Sequence, residues 1–115
     1  MKKFYYLSTC DTCKRIMKDL KLTDDVILRE IKSEKMTESE IDSLAQKAGG
    51  YEAIFSKRAR KYRELGLNNQ SLAEADYRKY LCTDYTFLKR PVLETSSEAI
   101  AGNSKAAVEA MRTRL

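Results

Sequence analysis

Lys3-Phe4-Tyr5-Tyr6-Leu7, then Ser8-Thr9-Cys10-Asp11-Thr12-Cys13, then Lys14-Arg15-Ile16-Met17-Lys18-Asp19-Leu20 is the stretch that decides the fold. Its first five residues are short, aromatic and closed by Ser8-Thr9, which reads as a strand. The period then changes. Cys13, Ile16 and Leu20 stand at i, i+3 and i+7 with Met17 alongside, so they share one face of a helix. Val26-Ile27-Leu28-Arg29-Glu30-Ile31 follows as a second strand. A strand, a helix and a strand joined by short returns predict a parallel βαβ unit.

Outward from that unit the chain turns helical. Thr37-Glu38-Ser39-Glu40 is a capping box, Ile41, Leu44, Ala45 and Ala48 make an apolar face, and Gly49-Gly50 stops the helix. Short helices are expected over Tyr51 to Phe55 and over Ala59 to Leu65. Ser71-Leu72-Ala73-Glu74 reads as another capping box, opening a helix with Ala73, Tyr77, Tyr80 and Leu81 inward. Pro91 precedes Val92-Leu93-Glu94-Thr95, and Ser96-Ser97 can turn the chain into Glu98-Ala99-Ile100-Ala101 as a hairpin. Ser104 then caps a last helix with Ala107, Val108, Met111 and Leu115 on its apolar face. The order βαβ, helices, ββα is a thioredoxin-like α/β arrangement. It has a mixed four-stranded sheet and a helical insertion over roughly residues 35–85, within one domain spanning the chain.

At 115 residues, 43% apolar and 34% charged, the chain suffices for one layered core. No apolar run is long enough to span a bilayer, and Met1-Lys2-Lys3 leads into an apolar stretch too short for a signal peptide. A cytoplasmic protein with no membrane association is expected. The net charge of +5 permits an anionic substrate or an acidic partner, but it is spread along the chain and mixed with Asp and Glu. There is no histidine, which excludes Ser-His and Cys-His catalysis and every zinc site built on imidazole. Three cysteines are an odd count, which fits reactive thiols in a reducing compartment better than a disulfide scaffold.

The chemistry centres on Cys10, where strand passes into helix. Unpaired N–H groups and the dipole of a helix's first turn favour thiolate over thiol, and the thiolate is the nucleophile. The dipole supplies roughly 0.3–1 kcal/mol, so direct donors are needed as well: backbone N–H groups, Thr12, and Lys14 or Arg15 as cations. Cys13 lies within one turn. It is either a resolving thiol that attacks a mixed disulfide on Cys10 or a small buried apolar residue. A lone CxxC could be half of a zinc site, but no second CxxC or histidine completes it, so no metal is expected. Cys82 has no partner nearby in sequence and reads as a buried helix cysteine, with a resolving role as the weaker alternative.

Three blocks together resemble the arsenate reductase (ArsC) and Spx family: Tyr6 to Arg15, Phe55-Ser56-Lys57-Arg58 with Tyr62-Arg63-Glu64-Leu65-Gly66-Leu67, and Lys89-Arg90-Pro91-Val92-Leu93. The resemblance implies a thioredoxin-like fold with a helical insertion and a thiol-dependent oxidoreductase akin to the glutaredoxin-coupled arsenate reductases. In those enzymes the first cysteine attacks the oxyanion, glutathione displaces the product, and glutaredoxin reduces the resulting mixed disulfide. Carried over by motif, Cys10 is the nucleophile, Arg90 the arginine before the cis-proline, and Pro91 that proline. Cys13 stays open between resolving thiol and buried apolar residue, and Thr12, Arg58 and Arg60 join Pro91 on the substrate side. The implied partners are a small oxyanion or thiol substrate, with glutathione and glutaredoxin, or thioredoxin, as reductant. No bound cofactor is implied, and a monomer is expected. The chain departs from the reductases where it has Ser56 and Gly102 in place of two arginines. Arg58 or Arg60 stands near the first, and nothing obvious replaces the second, which weakens an arsenate claim. The alternative implied by the same family is a redox-switched regulator similar to Spx, with Gly50 and Arg58 contacting the C-terminal domain of the RNA polymerase α subunit.

Overall fold

The structure is a computed structural model and describes residues 2–115. Strand β1 (Lys2–Tyr6) is central, because Phe4 and Tyr5 are both buried while pointing to opposite faces of the sheet. Helix α1 (Asp11–Leu20) carries the chain back so that β2 (Val26–Glu30) lies parallel to β1, with Lys2 opposite Val26 and Tyr6 opposite Glu30. Strands β3 (Val92–Glu94) and β4 (Ala99–Ala101) form the hairpin, and β3 joins β1 antiparallel with Phe4 opposite Leu93. The sheet order is β2-β1-β3-β4, mixed as expected.

One face of the sheet is covered by α1 and by α6 (Lys105–Arg114), where Phe4, Ile16, Leu20, Val26, Leu93 and Met111 form one apolar cluster. The other face carries the insertion: α2 (Glu38–Ala48), α3 (Tyr51–Ile54), α4 (Arg60–Glu64) and α5 (Glu74–Thr83), with 3-10 turns at Leu67–Asn69 and Tyr85–Phe87. Tyr5, Leu44, Ile54, Phe55, Leu67, Phe87 and Val92 belong to the core on that side. Phe55 stacks on Phe87 at 5.2 Å between ring centroids and meets Tyr77 edge-on at 4.9 Å. Among the described residues no helix is long and apolar enough to cross a membrane.

The Thr37 box forms in full: its hydroxyl accepts from the Glu40 N–H, and the Glu40 carboxylate accepts from the Thr37 N–H. The second box does not form at Ser71. The N-cap is Ala73, which offers no side-chain acceptor, and Asp76 reaches back to its N–H at 2.8 Å. Ala73 is therefore exposed rather than inward. Leu115, expected on the inner face of the last helix, is also exposed, because α6 ends at Arg114 and leaves Leu115 beyond its last turn. Glu94, only 7% exposed, ties the sheet to α2 by accepting from Ser43 Oγ at 2.8 Å, Lys47 Nζ at 3.0 Å and the Tyr5 hydroxyl at 3.1 Å. Burial opposes its ionisation, and those donors overcome the penalty and hold its carboxyl below the usual range.

Candidate active site

Cys10 is the N-cap residue of α1, with extended backbone. Its own N–H donates to the Leu7 carbonyl at 3.0 Å, and its carbonyl accepts from the Lys14 N–H at 3.1 Å, so a tight turn delivers the thiol to the helix opening. Partial burial works against ionisation of Cys10. The Cys13 N–H, the Cys13 thiol, the Arg90 guanidinium and the Thr12 N–H outweigh it, and the thiol titrates below its ordinary value. The cation is thus Arg90, not Lys14 or Arg15, both of which project into solvent on the outer face of α1. Sequence proximity cannot reveal this, because Arg90 lies just ahead of β3, which comes to lie beside β1 only once the sheet forms. Thr12 contributes its backbone N–H.

Cys13 is fully buried behind Cys10. Burial first, then the neighbouring Cys10 sulfur, pushes its thiol up to about 11, against the lowering effect of the Leu7 backbone and Arg90. Two cysteines three residues apart therefore differ in kind, one shifted toward the thiolate and the other held as thiol.

Cys10 opens onto a cleft of about 790 Å³ that also exposes Ser56, Arg58, Lys89, Arg90, Gly102 and Ser104. Its far wall is placed by two backbone bonds that lock the chain after α3 to the segment before β3: Ser56 N–H to the Phe87 carbonyl at 2.6 Å and Lys89 N–H to the Ile54 carbonyl at 2.8 Å. The near wall is held by the Gly102 N–H donating to the Pro91 carbonyl at 2.9 Å, beside the cis Arg90-Pro91 bond. Pro91 is itself buried, and its part in the cleft is to set where Arg90 stands. Among the described residues Arg58, Lys89 and Arg90 form no ion pair, whereas Lys57 is matched by Glu52 at 2.7 Å. The cleft keeps a surplus of positive charge suited to an anion. Arg60 begins α4 in solvent and does not line it. Ser56 and Gly102, the two positions without arginine, both open onto the same cleft.

The sequence reading missed Glu30. Its carboxylate accepts from the Ser8 N–H at 2.8 Å, the Lys32 N–H at 2.8 Å and the Ser33 N–H at 2.6 Å. Slight burial opposes these bonds and loses, and the carboxyl falls to about 2. Glu30 thereby pins the loop before Cys10 to the end of β2. A glutamate closing a strand just ahead of a serine-containing turn is the only hint in the sequence.

Gly50 lies apart from this cleft, in a separate depression with Asp42, Gly49 and Tyr51. Its φ is +148°, and a Cβ there would meet a Glu74 carboxylate oxygen at 2.7 Å. That carboxylate accepts from the Tyr51 N–H at 2.7 Å and the Glu52 N–H at 3.1 Å, so Gly50 has a local structural reason. Gly50 and Arg58 do not share a pocket. Cys82, expected to be buried, is half-buried on the wall of a small pocket with Met36 and Leu81. No group of three or more metal-ligating side chains occurs among the described residues.

With the geometry in place, comparison with known families matches residues 5–111 to the ArsC family. The chain belongs to this family. Among solved structures, an ArsC-family-related protein from Bacteroides fragilis is 22% identical, with 96% of each chain covered and a TM-score of 0.78. An arsenate reductase from Vibrio cholerae is 14% identical over 96% of this chain and 94% of its own, at 0.76. An ArsC-related protein from Brucella melitensis is 22% identical over 95% and 92%, at 0.72. These likenesses show that the ArsC-family chain has the thioredoxin-like fold with its helical insertion. No curated protein matches it.

Proposed function

We propose that this ArsC-family chain is a thiol-dependent oxidoreductase in which the Cys10 thiolate attacks a small oxyanion or a disulfide held near Arg90 and Arg58. The observation that carries the reading is the position of the Cys10 sulfur. It stands at the opening of α1, lowered in pKa by the Cys13 and Thr12 amides and by Arg90, and it faces a cationic cleft. A guanidinium offers planar paired donors to an oxyanion or a carboxylate. The uncharged Ser56 and Gly102 in that cleft support a thiol- or disulfide-bearing substrate over a bare tetrahedral oxyanion.

With a disulfide substrate, the Cys10 sulfur forms a mixed disulfide, the substrate S–S bond breaks, and one substrate thiolate leaves with its electron pair. Two routes then complete the cycle. A second thiol from solution attacks the mixed disulfide, or Cys13 gives up its proton and attacks Cys10, releasing the second substrate thiolate and leaving a Cys10–Cys13 disulfide. In the first route the incoming thiol takes the substrate sulfur, leaves as a new disulfide and returns Cys10 as thiolate; in the second, glutaredoxin or thioredoxin reduces the Cys10–Cys13 disulfide. A Cys13 thiol held up to about 11 is almost wholly protonated at neutral pH. Once Cys10 is in a disulfide, its sulfur no longer carries the charge that raises Cys13, although the burial remains.

Mass spectrometry after exposure to glutathione disulfide tests this. A glutathione adduct on Cys10 is expected at neutral pH, giving way to a Cys10–Cys13 disulfide as the pH rises. Failure of Cys10 to form either species, under conditions where Cys82 reacts, would sink the proposal.

A further inference from the structure

The two edges of the sheet are unlike. β4 is three residues long, built of Ala-Ile-Ala, half-buried throughout, and followed at once by the Gly102–Pro91 bond. β2 is five residues long, and Ile27 and Leu28 are 41% and 50% exposed on it. An open apolar edge of this kind is a template for another strand unless it is blunted by proline, a bulge or charge. β2 has no proline.

The backbone of that edge is specific. The Ile31 N–H donates to the Tyr6 carbonyl, and in a strand successive residues alternate in direction, so Ile27 and Arg29 also face β1. Val26, Leu28 and Glu30 face outward. Two of their six polar groups are already used: the Val26 N–H donates to the Thr23 carbonyl at 3.1 Å, and the Glu30 carbonyl accepts from Arg29 Nη1 at 3.3 Å. Four are left without a partner among the described residues: the Val26 carbonyl, the Leu28 N–H and carbonyl, and the Glu30 N–H.

We propose that the β2 edge is a self-association surface, on which a second copy of this chain pairs antiparallel about a two-fold axis at Leu28. In that register each Leu28 N–H meets the other Leu28 carbonyl, and each Glu30 N–H meets the other Val26 carbonyl. The four leftover groups of one copy satisfy those of the other, and the groups already used are the ones the pairing does not need. The same register sets Leu28 beside Leu28 on the α1 face of the sheet and Ile27 beside the stem of Arg29 on the α2 face. It also brings Asp24 of each copy toward Lys32 of the other; both are exposed, and neither forms an ion pair among the described residues. Hydrogen bonds, apolar contact and charge all match in one symmetric arrangement, which closes as a dimer with a continuous eight-stranded sheet. A second copy is thus favoured over the monomer expected from the sequence.

Sedimentation equilibrium of the whole chain across concentration is the test, together with amide hydrogen exchange at each concentration. The mass should rise from 13.2 kDa toward twice that value. The Leu28 and Glu30 amides should gain protection with it, while the Val26 amide stays unchanged. Leu28→Lys sets like charges opposite each other at the axis and should weaken association at least about tenfold, leaving Cys10 reactivity unaltered. Asp24→Lys should weaken it less, and Asp24→Lys combined with Lys32→Asp should restore it. A mass that stays at 13.2 kDa up to about 1 mM overturns the proposal. So does association that survives Leu28→Lys or leaves the Leu28 amide unprotected.

Discussion

Cys10 and Cys82 are both half-buried, yet their thiols move in opposite directions. Cys10 stands at the opening of a helix, with amides aimed at its sulfur and Arg90 alongside. Cys82 stands in the last turn of α5, where the carbonyl end of the dipole disfavours an anion. Burial raises its thiol, Glu38 and Asp42 add to the rise, and Arg78 cannot reverse it, being already committed to Asp42 at 2.8 Å. Equal burial does not make equal thiols. The helix end and an uncommitted cation decide which one is lowered and which one is raised.

The largest effect expected from this contrast is on turnover. Cys10→Ser should lower thiol-dependent reduction at least about 10³-fold, while Cys82→Ser leaves it within about twofold. A Cys82→Ser variant that loses activity would break the distinction. Next in size is alkylation at about pH 6.5, where iodoacetamide should label Cys10 some ~10-fold or more faster than Cys82, read by peptide mapping. Replacing Arg90 by Met should then move the Cys10 midpoint upward, as followed by thiolate ultraviolet absorbance. Alkylation at fixed low pH should slow by about tenfold and recover as pH is raised, and Arg90→Lys should retain part of the effect. A purely structural role for Arg90 would give a loss that raising the pH does not repair.

The smallest effect is on stability, and here the two thiols have opposite signs. Cys10 titrates below its usual 9.0 in the folded chain, so its ionised form contributes stability that is full above 9.0 and fades as pH falls through the folded value. Cys82 titrates above 9.0, so its neutral form contributes stability that is full below 9.0 and fades as pH rises further. Cys13 follows the Cys82 pattern, with its loss falling between 9.0 and about 11. In urea unfolding, the advantage of the native chain over Cys10→Ser should therefore grow from neutral pH to pH 9, while its advantage over Cys82→Ser stays level and then shrinks above it.

Much of the frame was legible because its signals are local. The change of period at Cys10, the Thr37 box, the Gly49 stop and the Ser104 cap each involve residues within one helical turn, and all four form as read. The Ser71 box failed for the same reason in reverse. A four-residue pattern says nothing about whether Ser71 or Ala73 begins the helix once the 3-10 turn before it is docked on the core.

The sequence by itself determined that a cysteine sits where a strand becomes a helix, and that no histidine could serve it. Family resemblance pointed to Arg90, Arg58, Ser56 and Gly102, but that Arg90 is the cation acting on the Cys10 sulfur, that Glu30 pins its loop, and that Arg60 stays outside the cleft were decided only by the tertiary structure. Amide donors at a helix opening come from the next few residues of the same chain. A cation from the loop ahead of another strand reaches the sulfur only after the sheet has chosen its order.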